Sequence, residues 1–418
     1  MLPLCPIYRV RMANILFGNK ARALFRGQRE TLDAEHTTLL ESNRGAVWIH
    51  AASVGEFEQA RPLIEKLKAE NGKRRVVVTF FSPSGYEARK NYPGADAVLY
   101  LPFATRRKAK RFLETLQPSM AIFVKYEFWP AYLRELKKRD IPTYSISAIF
   151  RPTQRFFHWY GKGSLSLLHC FTHIFVQDEA SRRLLAEHGV HDCSVAGDTR
   201  FDRVNEVLAA TRERPDERLL PVAQFVENAP HVVVAGSTWP EDEELLMKWC
   251  NEVAMLPNDT KLILVPHEIN KDHLHDIFQR FKGRFVKYSD INCMPSNLSR
   301  VNILQRANVM VIDTIGLLSS IYQFGHVAYI GGGFGEGIHN TLEAAVYGMP
   351  VVFGPNYHHF REAQGLIDAG AARSIKDYPE LEAAFATALE RHEEIGRRAA
   401  EYVTSELGAT AKIYKELF

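Results

Sequence analysis

Short runs of β-branched and apolar residues alternate with helix-like segments along almost the whole chain. In the first half, strand-like runs occupy residues 47–50, 75–80, 97–101, 120–124, 143–146 and 174–176. Strands separated by helices are normally joined by crossover connections, which make the sheet parallel and cover both its faces with helices. The alternation therefore predicts an α/β fold built on doubly wound, Rossmann-like sheets.

The same alternation starts again after a polar, proline-punctuated stretch at residues 203–228. Strand-like runs follow at residues 232–235, 261–265, 285–288, 309–312, 327–330 and 351–353. A chain of 418 residues is also long for a single core. We therefore expect two domains facing a cleft, with ligands at the carboxyl ends of the strands. The expected divisions are an N-terminal segment at 1–34, domains at 35–208 and 209–395, and a helix at 396–418 that returns to the first domain.

Composition narrows the possible partners. A net charge of +3 gives no electrostatic reason to expect nucleic acid. The five cysteines lack metal-ligand spacing, and no apolar run is long enough for a transmembrane helix.

The N-terminal segment mixes apolar residues with Lys20, Arg22 and Arg26, which favours a segment lying on a membrane surface. The alternative is a frayed arm or an ordinary solvated helix face.

A glycine-rich loop separates the strand-like run ending at Ile330 from a predicted helix at residues 341–347. Gly331, Gly332 and Gly333 open this loop. Glycines permit close approach of a ligand, and a helix N-terminus attracts anions, so the pattern predicts a phosphate site. Asn340 and Glu343 also have capping-box spacing, so both residues could instead serve only the first turn of the helix.

Several strand-like runs end in residues able to do acid–base chemistry. Glu56 follows the first run beside apolar neighbours, which could raise its pKa and make it a general base. Ser53 and Glu56 also form a complete capping box, and Thr238 and Glu241 repeat that spacing. Glu127 follows the run at 120–124 and is expected in the same cleft.

Charged residues also follow other strand-like runs. Arg200 lies at the domain junction, where it could neutralise a leaving phosphate. His267 follows the run at 261–265. No paired aspartates stand at a strand end, so we expect no catalytic metal.

Five motifs occur in order along the chain: HAASVGEF at 50–57, EFWP at 127–130, AGSTWPEDEE at 235–244, PHE at 266–268, and GGGF with HNTLEAAVYGMPVVFGP at 331–355. Together they resemble the 3-deoxy-D-manno-octulosonic acid (Kdo) transferases, which are lipid A-modifying glycosyltransferases of Gram-negative bacteria. The resemblance implies the GT-B fold and inverting, metal-independent transfer of Kdo from CMP-Kdo to the lipid A precursor lipid IVA. It also implies a protein at the cytoplasmic face of the inner membrane, peripheral or N-terminally anchored, that needs no cofactor.

The resemblance assigns roles to individual residues. It makes Glu56 the general base, with Glu127 and Arg200 as transition-state stabilisers, in an acceptor-binding first domain. Acceptor and membrane contacts fall on Lys20, Arg22, Arg26, Ser53 and Gly55. The nucleotide-sugar site falls on the second domain, at Ser237, Thr238, Pro266, His267, Ile315, Gly316, Leu317, Gly331, Gly332, Gly333, Asn340, Thr341, Leu342 and Glu343.

Three positions depart from the family pattern. The family often has lysine at Arg200, an Arg-His pair where this chain has only His267, and a carboxylate at Leu317. Two other functions fit the same pattern. One is a nucleotide-sugar 2-epimerase of the same fold, acting on a UDP-sugar. The other is a non-catalytic nucleotide-sugar-binding protein at the membrane surface, indifferent to Glu56.

Overall fold

The computed structural model describes residues 32–214, 216–253, 260–280, 284–296 and 298–418. The chain divides into two compact units. The first contains the described residues up to Arg203 together with Leu407–Phe418, and the second is Val204–Glu406. Among the described residues, no helix combines the length and the apolar character needed to cross a bilayer.

The first unit is a parallel sheet of seven strands in the order β3-β2-β1-β4-β5-β6-β7. Its elements are α1 (Ala34–Ser42), β1 (Val47–Ala51), α2 (Val54–Glu70), β2 (Val76–Phe80), α3 (Pro83–Arg89), β3 (Ala97–Tyr100), α4 (Arg106–Leu116), β4 (Met120–Val124), α5 (Pro130–Lys138), β5 (Thr143–Ala148), α6 (Lys162–Leu168), β6 (His173–Val176), α7 (Glu179–Glu187), β7 (Cys193–Val195) and the start of α8 (Thr199–Glu213).

The central strands of this sheet are buried on both faces, which explains their nearly continuous apolar sequences. All five residues of β1, β2 and β4 are buried. On one face Trp48 packs against Phe112 of α4 and Tyr132 of α5. On the other face Ile49 shares a core cluster with Phe57 of α2. Helices therefore cover both faces.

The end of the chain packs onto the first unit. The segment expected as one helix at residues 396–418 includes the larger part of α18 (His392–Ser405) in the second unit and all of α19 (Ala409–Leu417) in the first. Gly408 breaks the helix with a φ of 104°, a conformation that favours glycine. The Asp202 carboxylate accepts from the N–H groups of Gly408 at 2.7 Å and Thr410 at 2.6 Å, which fixes the start of α19.

The second unit is also a parallel seven-stranded sheet, in the order β10-β11-β9-β8-β12-β13-β14. Before α18, its elements are α9 (Leu220–Val226), β8 (His231–Thr238), α10 (Pro240–Val253), β9 (Thr260–Pro266), α11 (Lys271–Arg280), β10 (Phe285–Lys287), α12 (Tyr288–Asn292), α13 (Leu298–Arg306), β11 (Val309–Val311), α14 (Leu318–Ile321), β12 (Val327–Ile330), α15 (Leu342–Ala345), β13 (Val351–Phe353), α16 (Arg361–Asp368), β14 (Ala372–Ser374) and α17 (Tyr378–Glu390). Two helix-covered parallel sheets confirm the predicted α/β class.

Candidate active site

In the first unit, the residues singled out from the sequence gather at the carboxyl edge of the sheet. Strands β1 and β4 are adjacent and parallel, with Val47 opposite Met120 and His50 opposite Phe123. Their carboxyl ends therefore lie side by side. Glu56 follows β1 in the first turn of α2, and Glu127 follows β4 in the turn before α5.

Glu56 is held at the end of β1 by the backbone. Its Oε2 accepts a hydrogen bond from the Ala52 N–H at 2.6 Å, while its own N–H points to Ser53 Oγ at 3.5 Å. The predicted capping box is thus altered, because the carboxylate reaches Ala52 rather than the Ser53 N–H. The side chain remains partly exposed. This arrangement orients a carboxylate at the sheet edge without burying it.

Glu127 is buried, with 3% of its surface exposed. Its Oε2 accepts from Trp129 Nε1 at 2.6 Å and lies 3.2 Å from Nε2 of the fully buried His50. His50 Nδ1 lies 2.9 Å from the hydroxyl and 3.0 Å from the carbonyl oxygen of Thr79 on β2. With Oε2 as the acceptor, His50 donates through Nε2. The sequence analysis missed His50 and Trp129 as partners of Glu127. A histidine inside the buried strand VWIHA was the available signal.

Arg200 is oriented by a buried aspartate in its own turn. Its Nε and Nη2 donate to Asp198 Oδ2 at 2.9 and 2.7 Å, and its N–H donates to Oδ1 at 2.9 Å. Gln59 also donates to Oδ1, at 3.1 Å. Burial opposes ionisation of Asp198, but the charge and hydrogen bonds of Arg200, with the charge of Lys125, lower the pKa of this carboxyl. The guanidinium is therefore a fixed cation paired with a carboxylate.

Three non-glycine residues at strand ends have left-handed backbone conformations. Lys125 directly follows β4 with a φ of 61°, Ser147 lies near the end of β5 with a φ of 51°, and Ser237 lies near the end of β8 with a φ of 54°. Such conformations are costly for residues with side chains and concentrate at functional sites. Lys125 is a further cation at the edge that carries Glu56 and Glu127, and the sequence analysis did not select it.

In the second unit, the glycine loop packs backbone against backbone. A Cβ on Gly331 would lie 2.6 Å from Thr238 Cα, and one on Gly333 would lie 2.6 Å from Gly354 N. Gly332 has a φ of 90°, and a Cβ there would lie 2.5 Å from the Gly337 carbonyl oxygen. The three glycines therefore serve close packing. The Gly331 N–H donates to the Gly236 carbonyl at 2.9 Å, so it is engaged within the protein.

Asp242 in the first turn of α10 holds this loop in place. The buried carboxylate accepts from the Gly332 N–H at 2.8 Å, the Tyr329 hydroxyl at 2.7 Å and the Trp239 N–H at 3.0 Å. Burial raises its pKa, against the effect of these hydrogen bonds. The capping role suggested by the Thr238 and Glu241 spacing is thus filled by Asp242, and the Thr238 hydroxyl instead donates to Glu243 at 3.0 Å.

Three aromatic rings stack at the carboxyl edge of the second sheet. The ring centroids of Trp239 and His267 are 4.7 Å apart, and those of His267 and His339 are 4.4 Å apart. Trp239 Nε1 donates to His339 Nε2 at 3.0 Å. Burial and the neighbouring His267 lower the pKa of His339 to about 4, and burial lowers the pKa of His267. We call this group the ring stack. It is uncharged at neutral pH, and the sequence analysis missed Trp239 and His339.

The remaining predicted donor residues occupy different environments. Helix α15 has only four residues, and Asn340 Oδ1 accepts from the Leu342 N–H at 3.2 Å while Asn340 Nδ2 donates to Glu343 at 3.0 Å. The Thr341 and Leu342 side chains are buried, as is Pro266. Before α14, Ile315 is exposed, Gly316 has a φ of 86°, and the Leu317 side chain lies in the core.

The predicted acceptor and membrane contacts are only partly described. Lys20, Arg22 and Arg26 lie outside the described residues. Ser53 caps α2, and Gly55 is exposed, with open space where a Cβ would be. Within the described ranges, no three histidine, cysteine, aspartate or glutamate residues converge as metal ligands.

Sequence comparisons point to one family. A profile of the family described as 3-Deoxy-D-manno-octulosonic-acid transferase (kdotransferase) matches residues 26–203. The 3-deoxy-D-manno-octulosonic acid transferase of Aquifex aeolicus is 27% identical over 348 residues, which cover 82% of this chain and 85% of that protein. The Haemophilus influenzae protein of the same name is 27% identical over 385 residues, covering 88% of this chain and 85% of its own.

Solved structures share the fold. The UDP-GlcNAc 2-epimerase of Neisseria meningitidis, bound to UDP-GlcNAc, has a TM-score of 0.63 at 16% identity, covering 89% of this chain and 99% of that chain. Acinetobacter baumannii MurG has a TM-score of 0.53 at 12% identity and the same coverage, 89% and 99%. At these identities the likeness concerns the fold alone. With the two parallel sheets, it confirms the predicted GT-B fold.

Proposed function

Because the chain is a homologue of the 3-deoxy-D-manno-octulosonic acid transferases, which are glycosyltransferases, we propose that it transfers Kdo from CMP-Kdo to a lipid A precursor. The sequence matches confirm the resemblance and the enzyme class predicted from the motifs. We take the acceptor to be lipid IVA and the site of action to be the cytoplasmic face of the inner membrane, with peripheral or N-terminal attachment. The function belongs to lipopolysaccharide synthesis.

The observation that carries the proposal is the Glu56 carboxylate. It is partly exposed at the carboxyl edge of the first sheet, and the Ala52 N–H fixes its orientation at 2.6 Å. A general base must be oriented and reachable by the hydroxyl from which it takes a proton. Glu127 is buried and already accepts two hydrogen bonds, so it suits a supporting role better than that of the base.

In the proposed reaction, Glu56 takes the proton of an acceptor sugar hydroxyl as that oxygen bonds to the anomeric carbon of Kdo. The bond from this carbon to the CMP phosphate oxygen breaks, and CMP leaves with the electron pair. Displacement from the opposite side inverts the anomeric centre and requires no metal. Arg200 and Lys125 supply positive charge from the same edge, where Asp198 fixes the orientation of Arg200.

The second unit supplies the donor site in this proposal. The neutral ring stack offers aromatic surface to the cytosine, and Glu343 in the first turn of α15 accepts from the ribose hydroxyls. Asp242 supports the site by holding the Gly332 N–H and the Trp239 backbone. The Leu317 side chain lies in the core, so this position offers no carboxylate to the nucleotide.

The test is to incubate the protein with CMP-Kdo and lipid IVA and to follow CMP release and Kdo-modified lipid. Acceptor-dependent CMP release with one Kdo product per CMP supports the proposal. CMP release at the same rate without acceptor means hydrolysis, which contradicts transfer. Conversion of UDP-GlcNAc to its 2-epimer without turnover of CMP-Kdo would establish the epimerase alternative. Binding of CMP-Kdo without turnover would indicate a non-catalytic protein.

A further inference from the structure

Two adjacent aromatic side chains stand exposed on the first unit. Trp159 is 85% exposed and Tyr160 is 56% exposed. The chain has five tryptophans, and the other four are buried or half-buried. Leaving large aromatic side chains in water forgoes stabilisation from burial, so a pair presented together points to an interaction surface.

Trp159 and Tyr160 belong to a short segment whose other aromatic side chains pack against the protein. Residues Arg155–Phe157 and Trp159–Gly161 form two consecutive 3₁₀ turns. The Phe156 ring lies 5.0 Å from Phe128, and the Phe157 ring lies 4.8 Å from His188. A side chain at Gly161 would collide with the Arg155 carbonyl, so the two turns are in close contact. We call the segment 155–161 the aromatic tip. Its inner aromatics fix it to the core while its outer pair faces solvent.

The aromatic tip lies on the functional side of the first unit. It follows the carboxyl end of β5, the edge at which Glu56 and Glu127 lie, and it contacts Phe128, the residue after Glu127. Phe156 and Phe157 pack against the same core cluster as Phe112 of α4. The tip and α4 therefore cover the same face of the sheet.

The first turn of α4 adds positive charge at this edge. It contains Arg106, Arg107 and Lys108, and it has no acidic residue. Arg106 is 83% exposed, and Arg107 is also exposed. Cations at a helix N-terminus oppose the helix dipole. Arg106 Nε lies 3.4 Å from Glu135 Oε1, while most of the Arg106 side chain remains exposed to an approaching anion. Exposed aromatics and exposed cations at one sheet edge match the interfacial zone of an anionic bilayer, where Trp and Tyr lie at headgroup level and Arg meets phosphates.

We infer that the aromatic tip and the first turn of α4 form a membrane-contacting surface, with Trp159 and Tyr160 inserted among the headgroups of an anionic phospholipid bilayer. When Trp159 and Tyr160 are inserted among the headgroups, the sheet edge that carries Glu56 faces the lipid surface. The inference deepens the proposed function by giving the acceptor-binding unit a way to reach a bilayer-bound acceptor. The proposed contact is with phospholipid alone and requires neither donor nor acceptor.

The first test uses Trp159 as its own reporter. The protein is mixed with phosphatidylethanolamine vesicles containing phosphatidylglycerol brominated along the acyl chains, without donor or acceptor. Contact between Trp159 and the lipid quenches its fluorescence, and Trp159→Phe removes that quenching while vesicle binding remains. Equal quenching in the wild type and in Trp159→Phe would place the lipid contact elsewhere and overturn the inference.

The second test measures vesicle binding of matched variants by co-sedimentation. Trp159→Ser with Tyr160→Ser should weaken binding about tenfold or more, because both interfacial side chains are lost. Arg106→Ser with Arg107→Ser should weaken binding about fivefold per cation at low salt and much less at high salt. Leu298→Ser, which removes an 82% exposed apolar side chain from the second unit, is the control and should bind like the wild type. Wild-type binding by the serine double variant at the tip would overturn the inference.

A third measurement separates this inference from the proposed function. With lipid IVA dispersed in detergent, the tip double variant should transfer Kdo at the wild-type rate, and with lipid IVA in vesicles it should be slower. An equal loss in both would place the tip in catalysis or folding and contradict a membrane role. If the wild type transfers no Kdo in either medium but Trp159 is still quenched by lipid, the proposed function fails and the membrane surface stands.

Discussion

The carboxyl edges of the two sheets differ in the chemistry they present. The edge of the first sheet carries charges held in fixed orientations, namely the Glu56 carboxylate on a backbone N–H, the buried Glu127 beside His50, and Arg200 on Asp198. At the edge of the second sheet the ring stack is neutral, and the glycine backbone beside it is tightly packed and held by the Asp242 carboxylate. Two sheets of the same class and strand number therefore present different chemistry, which matches the roles proposed for them, proton transfer in the first unit and nucleotide-sugar binding in the second.

The two edges differ because their buried titratable side chains have different partners. In the first unit the buried Asp198 pairs with the Arg200 guanidinium, which lowers the pKa of this carboxyl against the effect of burial. In the second unit, burial leaves His339 without a carboxylate partner in the ring stack, and its pKa falls to about 4. Paired charges can act on protons and developing charge, while unpaired rings stay neutral and can stack on a ligand.

The sharpest test of the comparison is Glu56→Gln. The amide oxygen can still accept from the Ala52 N–H, so the melting temperature should change by less than about 2 °C. Transfer should fall by about 10²–10⁴, the usual contribution of a general base. The measurement is acceptor-dependent CMP release. Glu241→Gln is the matched control, since Glu241 follows Thr238 by three residues, as Glu56 follows Ser53, but is exposed, and it should keep the wild-type rate. A Glu56→Gln variant with near wild-type transfer would remove Glu56 as the base.

Glu127→Ala should have the next largest effect, on stability. It leaves Trp129 Nε1 and His50 Nε2 without their buried acceptor, at a cost of about 3 kcal/mol in the free energy of unfolding. Chemical denaturation measures this cost.

Glu127→Gln is the control for that loss and should cost only about 1 kcal/mol. Its amide oxygen can accept from Trp129, and its amide nitrogen can donate to His50 Nε2 once the proton moves to Nδ1. His50 Nδ1 then donates to the Thr79 carbonyl oxygen, 3.0 Å away. Equal costs for the alanine and glutamine variants would mean that packing, rather than hydrogen bonding, accounts for the burial of Glu127.

Most strands could be predicted from the sequence because their burial on both faces produces apolar runs. The exceptions are β7 and β14, which the sequence analysis did not predict. Both are three-residue edge strands with partly exposed residues, so neither has a continuous apolar run. Helix α3 was also not predicted, although Pro83 occupies its first turn, where proline is tolerated.

At the site, the sequence could predict which residues follow a strand but not their partners. Glu56 and Glu127 were found because the carboxyl ends of parallel strands share one edge. The partners depend on register and long-range contacts. His50 meets Thr79 because β1 pairs with β2 in that register, and Trp239 meets His339 across 100 positions of sequence. Spacing along one chain does not contain that information.

The ring stack should make the free energy of unfolding depend on pH. In the unfolded chain His339 titrates near its ordinary value of 6.5, while in the folded protein its pKa is about 4. Between these values the unfolded state binds more protons, so stability is lost as the pH falls from about 6.5 to about 4. With solvent screening of this partly exposed ring, we expect a loss of about 1 kcal/mol between pH 7 and 5.

Urea unfolding of the wild type and His339→Gln at both pH values measures this loss. The glutamine oxygen can still accept from Trp239 Nε1 but does not titrate, so the variant should lose about 1 kcal/mol less than the wild type. The lowered pKa of His267 has the same sign and remains in both proteins, so it cancels. Identical losses would show that His339 is not kept neutral by the stack.

The smallest effect is expected at Ser53, which caps the helix that carries Glu56. The Glu56 N–H lies 3.5 Å from Ser53 Oγ, a long hydrogen bond, so Ser53→Ala should cost about 0.5–1 kcal/mol, toward the low end for a helix cap. Ser53→Thr keeps the hydroxyl and is the control. Because the Ala52 N–H still holds the Glu56 carboxylate, transfer by Ser53→Ala should fall less than about threefold, or about 0.6 kcal/mol. A fall as large as that of Glu56→Gln, without a matching loss in melting temperature, would mean that the hydroxyl contacts the acceptor.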